Sequence, residues 1–287
     1  MSAPGAPVMI GAGLLLAALI GLAGWKLKAL TPGGALGATL IGGLVFGYGG
    51  LTWAALLIAF FLSSSLLSRV GRTRKAQAIA SEKEGPRDLT QTLANGGVAL
   101  LMALAVGIWG HESPWYPYFT LAYFGSLAAV TADTWATELG MLSRRPPRLI
   151  TTRQIIQPGV SGGVTRAGLI ASLGGGAFIG ITTFTTIQAA SLLTTGQWFL
   201  SDWFLLIILP IAGFLASLFD SFLGATVQRL YYCERCDAVT EQPVHYCGHA
   251  ARLVQGVAWM NNDFVNFLAA CMGAIAAILF SLPFLSP

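Results

Sequence analysis

The sequence predicts an all-α membrane protein, a polytopic bundle of transmembrane helices. Of its 287 residues, 55% are hydrophobic and only 10% are charged, whereas an ordinary soluble domain carries about 25% charged residues. Apolar runs of about 20 residues recur along most of the chain, and each is long enough to cross the roughly 30 Å hydrocarbon core of a bilayer. Eight spans are predicted: 8–25, 33–49, 51–68, 89–109, 118–142, 165–190, 203–228 and 263–284.

The first two spans admit other interpretations. The first could be a signal peptide, but no basic residue precedes it, and Trp25, Lys26 and Lys28 follow it. We therefore interpret it as a retained helix. The second is short and rich in glycine, as a re-entrant segment would be, so seven spans are the alternative. Glycine is abundant throughout, at 35 of 287 residues, which predicts close packing between helices.

The connections between the spans are too short for further domains. The longest, residues 229–262, cannot build an independent core without a cross-link, so a single membrane domain over residues 1–287 is predicted. All sixteen Lys and Arg residues lie in or at the edge of alternate connections: 26–32, 69–88, 143–164 and 229–262.

This charge distribution predicts the orientation of the chain. The positive-inside rule places the basic connections in the cytosol, in what we expect to be a prokaryotic cytoplasmic membrane, with both termini outside. The same bias accounts for the net charge of +4. The charge is therefore no indication that the protein binds nucleic acid.

Four polar residues within the spans lie at similar depths below the basic connections. Asp133 is eleven residues before Arg144, which corresponds to about 16 Å along a helix. By the same measure Glu138, Asp220 and Asn95 are about 9, 13 and 12 Å deep. An ionisable group inside a bilayer costs several kcal/mol unless it faces protein or water. The sequence thus predicts a cavity open to the cytosol, with hydrogen bonding between helices as the alternative.

Helical spacing predicts which of these residues share a face. Residues four apart lie on one stripe, and Glu138 is turned about 140° from Asp133 on an ideal helix. Either the helix is broken near Trp135, or the two carboxylates have different partners. The predicted stripes are Arg87, Gln91 and Asn95 in the fourth span, and Asp220, Gly224 and Gln228 in the seventh.

The stretch "QPGVSGGVTRAG", residues 157–168, has the composition of an anion-binding loop. Gly162 and Gly163 allow backbone N–H groups to point into one concavity, and Ser161 and Thr165 add hydroxyl groups at the start of a helix. Free N–H groups and the helix dipole attract phosphate there, and Arg166 adds a charge. The Walker A ending is absent, and an ordinary helix-capping turn is the alternative.

Five motifs together resemble a known family. In chain order they are "LANGG", "ADTWATELG", "PGVSGGVTRAG", "DSFLGATVQ" and "NNDFVNFLA", and they resemble the membrane family of phytyl-phosphate kinases from tocopherol synthesis. The resemblance covers most of the chain. It implies transfer of a phosphoryl group from a nucleoside triphosphate to phytyl, farnesyl or geranylgeranyl monophosphate. A more distant similarity to polyprenol kinases and lipid cytidylyltransferases favours CTP over ATP as the donor.

The resemblance also implies roles for the polar residues. Asp133 and Asp220 would be catalytic ligands of Mg²⁺, which prefers one or two carboxylates together with substrate phosphates, and Glu138 would be a further ligand or orient a water. The residues expected to hold phosphates or the nucleotide are Ser161, Gly162, Gly163, Thr165, Arg166, Arg87, Gln91, Asn95, Asn262 and Asp263. A lipid cytidylyltransferase and an ion-coupled transporter are the alternative functions, because buried acids also occur in carriers.

The last predicted connection contains the cysteine-rich stretch "CERCDAVTEQPVHYCGH", residues 233–249. Its candidate metal ligands are Cys233, Cys236, His245, Cys247 and His249, and the C-x-x-C spacing suits Zn²⁺. A cytosolic location disfavours a disulfide. We expect the three cysteines and one of the two histidines to bind zinc, with a metal-free or redox-active loop as the alternative.

Overall fold

A computed structural model describes residues 6–71, 85–198 and 200–285, and in this part of the chain it confirms the predicted helical bundle. Six of its helices, all except α4, are long and apolar enough to cross a membrane. Two short 3₁₀ helices, Leu200–Phe204 and Leu282–Phe284, lie at helix ends. The α-helices are α1 (Ala6–Lys26), α2 (Pro32–Arg69), α3 (Leu89–Trp109), α4 (Tyr116–Gly140), α5 (Arg166–Thr195), α6 (Leu205–Thr226) and α7 (Asn262–Ser281).

Helix α2 is broken at Gly50 and folds back on itself. Gly50 has φ 74° and ψ −163°, a backbone conformation that glycine adopts and L side chains avoid. Residues from both sides of the break, such as Ile41 and Leu57, line the same cavity. The guanidinium group of Arg69 donates to the carbonyl oxygen of Leu27, so the second arm returns to the side where α1 ends. The two arms correspond to the predicted second and third spans, so the seven helices comprise eight helical segments.

Helix α4 lies at the centre of the bundle and contacts the second arm of α2 as well as α3, α5, α6 and α7. Residues 121–132 are all buried. Close packing requires small residues here: a Cβ added to Gly125 would lie 2.3 Å from the carbonyl oxygen of Gly273. Tyr123 stacks on Trp53 with 4.0 Å between ring centroids. Because protein rather than lipid surrounds α4, this helix needs less hydropathy than its neighbours.

The end of the bundle that carries the basic connections, named the basic end, also contains the strands. Strands β1 (Arg148–Leu149) and β2 (Gly163–Val164) pair between α4 and α5. Strands β3 (Leu230–Cys233), β4 (Ala238–Thr240) and β5 (Arg252–Gln255) form an antiparallel sheet in the order β4-β3-β5. These strands were not predicted from the sequence, because two to four residues carry too little alternation of polar and apolar side chains.

Candidate functional site

Asp133 and Asp220 lie on helices that face each other. The hydroxyl of Ser217 on α6 is 3.4 Å from Oδ1 of Asp133 on α4, and donates to it. Ser217 is one helical turn before Asp220, so both α6 residues lie on the face that meets Asp133. Helices α4 and α6 end at Gly140 and Thr226, earlier than predicted. The two acids are therefore about 10 Å from the helix ends, shallower than the sequence indicated.

Glu138 has different partners from Asp133. Helix α4 is continuous through Trp135, so the alternative of a broken helix is wrong. Glu138 instead accepts a hydrogen bond of 2.7 Å from the hydroxyl of Ser68, at the end of α2. Burial lowers the pKa of Arg87 from its ordinary value, and the negative charge of Glu138 partly offsets this effect. Glu138 thus couples α2, α4 and Arg87 at the basic end.

Backbone hydrogen bonds to the connection between α1 and α2 hold Arg87 in place just before α3. The N–H of Arg87 donates to the carbonyl oxygen of Ala29 at 3.0 Å, and the carbonyl oxygen of Arg87 accepts from the N–H of Thr31 at 2.9 Å. Asp88 caps the helix: its carboxylate accepts from the backbone of Gln91 at 2.9 Å, and the Gln91 side chain accepts from the backbone of Asp88 at 3.2 Å. This capping box fixes the first turn of α3 and with it the direction of the stripe.

A cavity of about 90 Å³ lies between α1, the two arms of α2, and α3. Helix α3 and Arg87, two residues before it, supply the polar wall, which contains the predicted stripe of Arg87, Gln91 and Asn95 together with Thr92. Its remaining walls are apolar. They include Ala17, Ile20, Leu30, Ala38, Ile41, Leu57, Ile58, Phe60 and Phe61. The lining is therefore mostly hydrocarbon, with the four polar side chains along one side.

The glycine-rich loop packs against protein groups. The hydroxyl of Ser161 donates to the carboxylate of Glu241, and the Gln228 amide donates to both, at 2.9 Å to Ser161 and 3.0 Å to Glu241. Glu241 thus takes the hydrogen bond that we expected a phosphate to accept, and its charge would repel an anion. The predicted role of Ser161 in phosphate binding is therefore not supported. Gln228 lies beyond the end of α6, so the prediction that it extends the Asp220 stripe is wrong.

Three other residues of this loop have structural contacts, and their predicted roles in phosphate binding, like that of Arg166, stay predictions. Gly162 has φ 84°, and a Cβ added to it would lie 2.6 Å from the Cα of Ala225. Gly163 pairs with Leu149 between β2 and β1. Thr165 caps α5 by accepting from the N–H of Gly168 at 2.9 Å, as in the alternative of a helix-capping turn. Arg166 is exposed in the first turn of α5.

Asn262 and Asp263 occupy the first turn of α7 at the basic end. Asn261 before them caps this helix by accepting from the N–H of Phe264 at 2.9 Å. The structure thus distributes the predicted residues over separate positions at one end of the bundle. These positions are four: the polar wall of the cavity with Glu138 nearby, the set of Asp133, Ser217 and Asp220, the glycine-rich loop that contacts Glu241, and the start of α7.

Four of the five predicted metal ligands come together in the last connection. The donor atoms of Cys233, Cys236, His245 and Cys247 all lie within 4.8 Å of one another. His249 is outside the group, with its Nδ1 3.2 Å from a guanidinium nitrogen of Arg235. A hydrogen bond from His245 lowers the pKa of Cys247 to about 6, and a hydrogen bond with Cys247 raises that of Cys236 to about 11. Both shifts follow from the close approach of the sulfur and nitrogen atoms in this cluster.

Three residues that contact the predicted site residues were not identified from the sequence. Ser217 was detectable, because it lies three residues before Asp220 and so on the same helix face. Ser68 stands in a run of serines that offered no reason to select it. Glu241 lies in a polar connection, and only the fold brings it to Ser161.

The chain is similar in sequence to several known proteins. It is 33% identical to Protein PGR of Arabidopsis thaliana over 273 residues, covering 89% of this chain and 90% of that protein. It is 27% identical to an uncharacterized membrane protein of Methanocaldococcus jannaschii, covering 93% and 92%. It is also 27% identical to Protein VTE6, chloroplastic, of Arabidopsis thaliana, covering 87% of this chain and 65% of that protein.

No solved structure matches the chain. Residues 15–274 match the family described as Integral membrane protein DUF92. The match and the relatives confirm the family relationship that the five motifs indicated. The chain belongs to this family of integral membrane proteins.

Proposed function

We propose that this integral membrane protein is a kinase that transfers the γ-phosphoryl group of a nucleoside triphosphate, with CTP favoured, to an isoprenyl monophosphate. The product is the isoprenyl diphosphate. The observation that carries the proposal is the cavity between α1, α2 and α3, whose polar wall contains Arg87 and whose other walls are apolar. Such a lining matches a ligand with an anionic head and a hydrocarbon tail.

The cavity would take the head of the acceptor lipid. Its volume of about 90 Å³ is below the roughly 300–1,000 Å³ of pockets that enclose whole ligands. A prenyl chain would therefore place only its first carbons there and extend between the helices toward lipid. Arg87 suits the phosphate, because a guanidinium group forms two parallel hydrogen bonds with phosphate oxygens. Gln91 on the same stripe has an amide N–H group, and the Asn95 amide, which donates to the carbonyl oxygen of Gln91 at 2.8 Å, has a second N–H for a ligand.

The donor nucleotide would approach the Asp133–Ser217–Asp220 set. Two carboxylates and a hydroxyl on facing helices are hard oxygen donors, which fit the ligand preference of Mg²⁺. Bound there, Mg²⁺ would neutralise charge on the triphosphate. The two acids are more than a turn inside their helices, so the helix ends would shield the phosphates from water.

The reaction requires little proton transfer. The acceptor phosphate has a second pKa near about 6 and is largely ionised at pH 7. Its oxygen would attack the γ-phosphorus, the bond from that phosphorus to the bridging oxygen would break, and the nucleoside diphosphate would leave with the electron pair. Catalysis would then depend on positioning and charge neutralisation. Glu138 would act on Arg87 as a positioning residue, through the electrostatic contact that it makes with it.

The test uses the purified full-length protein in detergent with Mg²⁺ and phytyl, farnesyl or geranylgeranyl monophosphate. CTP and ATP labelled at the γ position are supplied in parallel, and lipid products are resolved by thin-layer chromatography. We expect γ-label in a prenyl diphosphate. Label from α-labelled CTP in the lipid, with release of pyrophosphate, would identify a cytidylyltransferase instead. Absence of labelled lipid with any acceptor and either nucleotide would overturn the enzyme proposal and favour transport.

A further inference from the structure

The connection between α6 and α7, residues 227–261, is named the insert. It contains the three-stranded sheet and the group of Cys233, Cys236, His245 and Cys247. We propose that these four residues bind one structural Zn²⁺, and that the metal holds the insert against the glycine-rich loop. This inference is independent of the proposed kinase activity.

The donor atoms are close enough together for one metal ion, and two of their distances are near those of a tetrahedral site. With Zn–S bonds of about 2.3 Å and a Zn–N bond of about 2.0 Å, a tetrahedral site places sulfur atoms about 3.8 Å apart and sulfur and nitrogen about 3.5 Å apart. The Sγ atoms of Cys233 and Cys247 are 3.7 Å apart, and Nδ1 of His245 is 3.2 Å from Sγ of Cys247. A disulfide would require about 2.05 Å between the sulfur atoms. Three sulfurs and one nitrogen are a common ligand set of structural zinc.

Two tight turns present the ligands in pairs. Cys233 ends β3, and Cys236 follows in the turn before β4. In the second turn, the N–H of Gly248 donates to the carbonyl oxygen of His245 at 2.8 Å. Gly248 has φ 80°, which lets the chain reverse directly after Cys247. Each turn thus brings two donors to one point.

The structure selects between the two histidines. His245 is buried, with 3% of its surface exposed, and contacts Cys247 through its ring nitrogen. His249 is exposed, and its ring nitrogen lies beside Arg235. The positive charge of Arg235 disfavours the binding of a metal cation at His249. The zinc ligand is therefore His245.

The insert needs such a cross-link. Its strands are three or four residues long, and among its apolar side chains Tyr231 and Cys233 are buried. So little apolar burial does not offset the entropy of ordering 35 residues. Zinc bound at four residues would supply the missing stability.

The metal site is linked to the glycine-rich loop through one strand. Strand β4 pairs with β3, which ends at Cys233, and Glu241 directly follows β4. The Glu241 carboxylate accepts hydrogen bonds from Ser161 and Gln228. Zinc at the β3–β4 turn would thus fix Glu241 against the loop. Loss of the metal would release the insert and leave the helices in place.

The experiment measures metal in the full-length protein, purified in detergent with a tag that contains no histidine. Elemental analysis is expected to give about one zinc per chain. Cys236→Ser and His245→Ala are expected to lose most of the zinc, whereas His249→Ala and Cys271→Ser retain it. Equal zinc in His245→Ala and His249→Ala, or a wild-type protein without zinc, would overturn the proposal.

Two further measurements do not depend on the folding of variants. X-ray absorption at the zinc edge of the wild-type protein should show three sulfurs at about 2.3 Å and one nitrogen at about 2.0 Å. A shell of nitrogen and oxygen alone would contradict the site. After treatment with a zinc chelator, trypsin should cut rapidly at the exposed Arg235 and Arg252, and unchanged cleavage would contradict the stabilising role.

Discussion

Asp133 and Glu138 lie five residues apart on one continuous helix, yet they contact different helices. Ser217 of α6 donates to Asp133, and Ser68 of α2 donates to Glu138. The angular separation of about 140° followed from helical geometry and left two alternatives, a broken helix or different partners. The continuous helix selects the second. The identity of those partners depends on which helices pack against α4, which no local pattern contains.

The first prediction tests the charge of Asp133. Asp133→Asn keeps the size of the side chain and an oxygen that can accept from Ser217, so the protein should remain folded. Loss of the negative charge should lower kcat of prenyl-phosphate phosphorylation by about 100-fold or more, as expected for removal of a main electrostatic contact to the reacting groups. The measurement is steady-state kinetics on protein that elutes as a single species from size exclusion.

The matched control is Asp202→Asn. Asp202 is a half-buried acid in the 3₁₀ helix before α6, at the opposite end of the bundle from Asp133. This variant should keep wild-type kcat. Full activity of Asp133→Asn would remove Asp133 from the proposed site.

Arg87→Ala tests the cavity as the acceptor site. A hydrogen bond to a charged group is worth about 1.5–3 kcal/mol, which is roughly a 10- to 150-fold change in affinity. KM for the prenyl monophosphate should rise by this factor, while KM for the nucleotide stays nearly unchanged. Arg145→Ala, at an exposed position between α4 and β1, is the control. An increase in nucleotide KM alone would move Arg87 to the donor side.

At the scale of secondary-structure elements, the conformation and packing of turns depend on tertiary contacts that the sequence does not reveal. Gly162 was predicted to expose N–H groups to a phosphate, yet it lies against Ala225 because α6 ends beside the loop. The break at Gly50 fell between two predicted spans, and one residue of connection sufficed for the chain to reverse. Hydropathy predicted the arms, and glycine supplied the conformation between them.

Gly162→Ala should destabilise the protein for two reasons. Alanine at positive φ costs about 1–2 kcal/mol, and its Cβ would also overlap the backbone of Ala225. Gly196→Ala bears the first cost alone, because Gly196 has φ 71° and open space around its Cα. Thermal unfolding in detergent should show Tm lowered by about 2–6 °C for Gly196→Ala and clearly more for Gly162→Ala. Equal shifts would mean that the loop does not pack on α6.

At the scale of the whole molecule, the distribution of charge and the position of the site point to the same side. All sixteen Lys and Arg residues fall in or at the edge of the connections that the sequence predicts to be basic, and the structure brings Arg87, Glu138, Asp133 and Asp220 to the half of the bundle next to the basic end. Nucleoside triphosphates are cytosolic, so a nucleotide-dependent reaction requires this end to face the cytosol. The positive-inside rule independently predicts the same orientation.

Reporter fusions in a bacterial host test the orientation. Alkaline phosphatase, which is active only outside the cytosol, should be active when fused at the C terminus or after Ser113, whereas green fluorescent protein should be fluorescent after Arg145. The two fusion points at 113 and 145 are separated by α4 alone, so opposite reporter signals would also show that this least hydrophobic helix crosses the membrane. The reverse pattern would place Arg87 and Asp133 away from cytosolic nucleotide. It would then contradict the kinase proposal along with the topology.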